Sequence, residues 1–105
     1  MEKILCASIH FNDQQIYEHQ PVNIKTGFVV CGHRHHNCFM TLFILNPKLE
    51  KQNNKTKDRN ITQGFITNKN RFVDRKEGFD IALKANQVLQ NTERTIKQLF
   101  SEDLY

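Results

Sequence analysis

Gly27-Phe28-Val29-Val30-Cys31-Gly32-His33-Arg34-His35-His36-Asn37-Cys38-Phe39-Met40-Thr41-Leu42-Phe43-Ile44-Leu45-Asn46-Pro47 decides the fold, because the hydrophobic period changes inside it. Up to Gly32 the residues are β-branched and aromatic and bracketed by glycines, which predicts a short strand. From about His35, Phe39, Leu42 and Phe43 fall at i, i+3 and i+4, with Cys38 and Leu45 beside them, the stripe of a helix packed on a sheet. Asn46-Pro47 ends that helix, since the residue before a proline avoids helical torsions.

On the N-terminal side, Lys3 to Phe11 alternates Leu5, Ala7, Ile9 and Phe11 with the mixed set Ile4, Cys6, Ser8 and His10, which predicts a strand with the first set in the core. Asn12-Asp13 signals a turn, and Gln14 to Glu18 is read as a returning strand around Ile16, so that the pair forms a hairpin. Pro21 keeps the next stretch out of a central strand position. On the C-terminal side, residues 48–60 hold five basic residues against two acidic ones, account for most of the net charge of +4, and are expected to be a flexible basic loop.

Structure resumes with strands at Gly64-Phe65-Ile66-Thr67 and Arg71-Phe72-Val73, joined by Asn68-Lys69-Asn70, where an asparagine can take positive φ. Asp74 then caps a helix, with Glu77 three residues on completing a capping box. Phe79, Ala82, Leu83 and Asn86 give its stripe, with Ile81, Ala85 and Val88 beside them. The pattern fades after Leu89, and Gly78, costly inside a helix, marks a close contact. A further helical stretch is expected from Glu93 to Leu99. The 105 residues suit a single domain, 1–105, of class α+β. Its expected form is a small, mostly antiparallel sheet with two main helices on one face, in the order β-β-β-α-β-β-α.

Composition narrows the functional classes. No apolar run approaches the ~20 residues of a membrane span, and the first residues carry no signal-peptide pattern, so no membrane partner is expected. Three cysteines, Cys6, Cys31 and Cys38, with no Cys-x-x-Cys pair, argue for reduced thiols rather than a disulfide framework. The basic charge is confined to one loop, so a nucleic-acid polymer is a less favoured partner than a small anion. A homo-oligomer would add buried area, but the sequence carries no interface pattern that specifies one.

The candidate site is Gly32-His33-Arg34-His35-His36-Asn37-Cys38 at the strand-to-helix junction. A helix start offers free N–H groups and partial positive charge. Gly32, Arg34, His35 and His36 there suit a phosphate or other anion, with Arg71 and Arg75 contributing from the next helix start. The competing structural reading has one or two imidazoles capping the helix or packing under the C-terminal tail. Ligand counting disfavours metal, since His33, His36 and Cys38 have no second pair of ligands, and no dinucleotide or other cofactor fingerprint occurs. For acid–base chemistry the candidates are His35, His36 and Asp74, if the two helix starts converge. Cys38 is disfavoured as a nucleophile because it falls in the apolar stripe.

The blocks Gly32 to Phe39, Gln63 to Thr67, Arg71 to Glu77 and Leu99-Phe100-Ser101-Glu102-Asp103-Leu104-Tyr105 together resemble a family of small, uncharacterised bacteriophage and prophage proteins. The resemblance implies a phage accessory protein acting in the cytoplasm of an infected bacterial host, where sequestering a nucleotide defence signal is one role such proteins take. The leading expectation is a module that binds a small phosphorylated or nucleotide-like ligand. The rival readings are a small His-dependent hydrolase or nuclease, and a protein-binding inhibitor of a host factor.

Overall fold

A computed structural model describes residues 1–51, 60–89 and 97–105. Four strands form one antiparallel sheet: β1 (Ile4–Phe11), β2 (Phe28–Gly32), β3 (Ile61–Thr67) and β4 (Phe72–Asp74), in the spatial order β2-β1-β3-β4. Helices α1 (His35–Leu45) and α3 (Arg75–Lys84) pack on one face of it, and a short α2 (Pro47–Lys51) follows α1. The α+β class, the antiparallel sheet and the one-sided helices agree with the sequence reading.

Phe65 sits at the centre of that face. It lies between Ala7 of β1 and Val73 of β4 in the ladders, and all three are essentially fully buried. The His35 ring meets it edge-on from α1, at 5.1 Å between centroids. From α3, a side chain built at Gly78 would come within 3.2 Å of the Phe65 ring. The close contact expected at Gly78 is therefore present, and it lets α3 lie flat against β3 and β4.

The structure corrects the order β-β-β-α-β-β-α by one strand. Residues 14–18 form no strand, and β1 pairs with β2 and β3 instead. The cause is local. The Asn12 and Asp13 side chains accept hydrogen bonds from the backbone N–H groups of Gln14 and Gln15, and Gln14 takes φ 67°, so the chain curls away from the ladder. Ile16 is left 83% exposed. The segment then reaches the edge of β4, where the Asn23 amide exchanges two hydrogen bonds with the Phe72 backbone, at 2.6 and 2.9 Å. Pairing of this kind protects an edge strand.

Smaller differences have similar causes. A register irregularity between Ile4 and Cys6 buries Ile4 and exposes Leu5, which the simple alternation had placed inside. Asn46-Pro47 ends α1 as expected, but Pro47 also opens α2, a position where its missing N–H costs nothing. The start of the expected 48–60 loop is thus helical and anchored by buried Leu49; residues 52–59 lie outside the described residues. Helix α3 stops at Lys84 and Asn86 takes φ 58°, so the expected stripe does not run on to Asn86; Leu83 is in the helix but exposed, and Val88 packs against the core from beyond it. Most of the helix expected over Glu93–Leu99 also lies outside the described residues. Asn70 has φ 57° in the β3–β4 turn, as its residue type suggested.

Candidate functional site

The two helix starts do converge, and what they converge on is the C-terminal segment. Arg34 precedes α1 with an extended backbone, and its N–H is bound by the Asn37 side chain at 2.9 Å. Its guanidinium donates to Ser101 Oγ at 3.4 Å and to the main-chain oxygen of Tyr105, and lies over the Tyr105 ring. The Tyr105 hydroxyl donates to the His33 carbonyl at 2.8 Å while the two rings stack. From α3, Arg75 donates to the Leu99 carbonyl at 2.9 Å and to Gln63 Oε1 at 2.8 Å, with its guanidinium over the Phe100 ring. Leu99 and Ser101 are buried between these contacts.

The remaining predicted residues divide. His35 is buried, and its Nε2 lies 2.8 Å from the Gly64 carbonyl, which can only accept, so Nε2 carries the proton. Burial pushes its pKa below the usual histidine value, the Gly64 carbonyl opposing this and nearby Arg75 adding to it. The ring is therefore neutral near pH 7 and occupied as a donor. His36 is exposed. Asp74 caps α3 by accepting the Glu77 N–H at 2.8 Å, and it does not pair with His35. The capping box is one-sided, because the Glu77 carboxylate is taken by Arg71 at 2.9 Å. Arg71 also makes a two-pronged pair with Glu2 at 2.9 Å, and those hydrogen bonds hold the Glu2 carboxyl down at about 2. Arg71 thus belongs to an ion-pair group with Glu2 and Glu77 rather than to the convergence of Arg34, His35 and Arg75. A side chain at Gly32 would come within 2.9 Å of Asn37 Cβ, so this glycine serves the tight entry into α1. Among the described residues no three His, Cys, Asp or Glu side chains gather closely enough to hold a metal ion, and no helix is long and apolar enough to cross a membrane.

The neutral state of His35 gives a pH prediction. A histidine whose folded pKa lies below its unfolded value binds more protons when unfolded. Its contribution to stability is then full above about pH 6.5 and declines as the pH falls below that value. Urea midpoints measured at pH 7 and pH 5 are expected to drop for the native chain, and the drop should shrink in His35→Gln. An equal drop in both would show that His35 is not the group responsible.

A cleft of about 430 Å³ opens at the other end of α1, lined by Phe11, Asp13, Tyr17, Phe28, Leu45 and Asn46. Phe28 meets Tyr17 edge to face at 5.4 Å and Phe11 at 5.8 Å, so three rings make its wall. The Tyr17 hydroxyl donates to Asp13 Oδ2, and the Gln15 N–H donates to Oδ1 at 3.0 Å. The Tyr17 contact is the main cause holding the Asp13 carboxyl below the ordinary value, and it raises the phenol in turn. Clefts of this size, mostly apolar with a few placed polar groups, are the usual form of small-ligand sites. Reading the sequence missed this site, because Asn12-Asp13 was taken as a turn and Tyr17 as part of a strand. The available signal was a tyrosine and a carboxylate four residues apart in an otherwise polar loop.

A family model described as Phage T4 y16D protein matches residues 3–105. No curated protein and no solved structure matches the chain.

Proposed function

The chain belongs to the Phage T4 y16D protein family, and from that premise we propose that this phage accessory protein binds a small nucleotide-like ligand, with the base in the cleft of Phe11, Asp13, Tyr17 and Phe28. The observation that carries the reading is the cleft itself: an open aromatic wall beside an ionised carboxylate and the Asn46 amide. Rings stack on bases whatever the sequence, and the polar pair supplies orientation. The phosphorylated end would point outward. Arg34 and His36 lie at the start of α1, whose 11 residues span about 16 Å, so they would form a separate contact.

Binding is favoured over hydrolysis by the state of the candidate acid–base groups. His35 is buried, neutral and engaged with a backbone carbonyl, and Asp74 is engaged with the start of its own helix. A base must reach the proton it removes; neither faces the cleft, and exposed His36 lies at the opposite end of α1 from it. A binding module of this kind would act in the infected cell by sequestering its ligand.

Isothermal titration with purine and pyrimidine mononucleotides tests the reading. A saturable heat with at least one of them is expected, with the ligand recovered unchanged after long incubation. Tyr17→Ala should weaken binding by about 1–3 kcal/mol, the usual worth of one stacked ring, while Arg34→Ala leaves the base contact intact. No heat with any nucleotide at protein concentrations well above micromolar would refute it. Chemical conversion of the nucleotide would replace it with the hydrolase reading.

A further inference from the structure

Resting on that reading, we infer that the cleft selects a guanine base, and that Asp13 is the residue that makes the selection. A carboxylate is acceptor-only, with about four lone-pair sites over two oxygens. In this structure the Tyr17 hydroxyl takes one site on Oδ2 and the Gln15 N–H takes one on Oδ1. The Asp13 backbone N–H also bonds this carboxylate, and both oxygens keep acceptor capacity that a pair of parallel N–H donors on one ligand edge would address together.

The bases differ in whether they can supply that pair. The pairing edge of guanine carries two adjacent donors, the ring N1–H and the exocyclic 2-amino group. Adenine and cytosine each present an amino donor next to a ring nitrogen that accepts, and this lone pair would face a carboxylate oxygen. Uracil and thymine present one N–H between two carbonyls, which would also face it. Hypoxanthine keeps the N1–H and lacks the 2-amino group. An ionised carboxylate therefore discriminates twice, by rewarding a second donor and by repelling an acceptor placed there.

The surroundings fit that role. The hydrogen bonds from Tyr17 and Gln15 fix the direction of Asp13, so the carboxylate is set before a ligand arrives. Asp13 is the one charged group among the described lining residues, and it favours a donor edge over a phosphate. A quaternary ammonium would also be attracted to rings and an acid, but it has no N–H to donate to the carboxylate.

The test is a competition titration of the intact chain with guanosine, inosine, adenosine, cytidine and choline. Guanosine is expected to bind most tightly, with inosine weaker by roughly ten- to a hundred-fold, the usual worth of one hydrogen bond to a charged group. In Asp13→Asn, guanosine should weaken by a similar factor and its advantage over inosine should vanish. A control, Asp13→Glu, keeps the charge and should retain a preference for guanosine. Equal affinity for guanosine and inosine, or tighter adenosine, would overturn the assignment of Asp13 while leaving a nucleotide-binding cleft. Binding of choline alone would overturn the guanine assignment in favour of a cation site. Binding of none of the five would overturn both readings.

Discussion

Phe65→Ala should destabilise the protein by about 3–5 kcal/mol, the usual cost of truncating a buried phenylalanine. Its ring joins both helices to the centre of the sheet. His35 packs edge-on against it from α1, Gly78 presses on it from α3, and Ala7 and Val73 flank it in the sheet. Removing it leaves a cavity under both helices and loosens the wall that holds His35 on the Gly64 carbonyl. Since domains have only about 5–15 kcal/mol of stability in all, urea unfolding should show a large fall in midpoint. A loss under 1 kcal/mol would mean that the helices do not share this core.

Gly64→Ala is the second large effect, and it acts through the backbone. A Cβ at this position would lie 2.1 Å from the Val73 carbonyl oxygen and 2.8 Å from the Phe72 ring. The Val73 carbonyl cannot give way without parting β3 from β4, because Gly64 faces Asp74 in that ladder. Overpacking generally costs about 1–3 kcal/mol, and a clash with main chain belongs at or above the upper end. The parting would also displace the Gly64 carbonyl from His35 and Asp74 from the start of α3. Thermal unfolding and the near-ultraviolet spectrum should both report it, whereas alanine at exposed Thr62 of the same strand should leave both unchanged.

The parts of this fold that were legible in the sequence are those specified by neighbours. The glycine-bracketed strand and the change of period after His33 located β2 and α1. Asn70 and Asp74 located the β3–β4 turn and the start of α3, since each acts through its own backbone torsion or side-chain oxygen. The pairing of β1 was not legible. Its partners lie at least 17 positions away, and only the curl at Asn12–Gln15 decides against the nearer one.

The candidate site divided in the same way. In the sequence the convergence of the two helix starts was a condition of a shared site, and local patterns could not decide it. The C-terminal tail was one of two competing occupants, and the particular contacts of Arg34 and Arg75 with Leu99, Ser101 and Tyr105 were not legible because they join distant segments. The aromatic cleft is likewise assembled from three separate stretches, around Phe11 to Tyr17, Phe28, and Leu45-Asn46. No one of those stretches carries a motif.

Chemical-shift mapping of the isotope-labelled protein during titration with guanosine monophosphate tests the central claim most directly. The account predicts progressive shifts at Phe11, Asp13, Tyr17, Phe28 and Asn46, with the start of α1 little changed. Shifts confined to Arg34, His36 and the 99–105 segment, with the cleft silent, would contradict it.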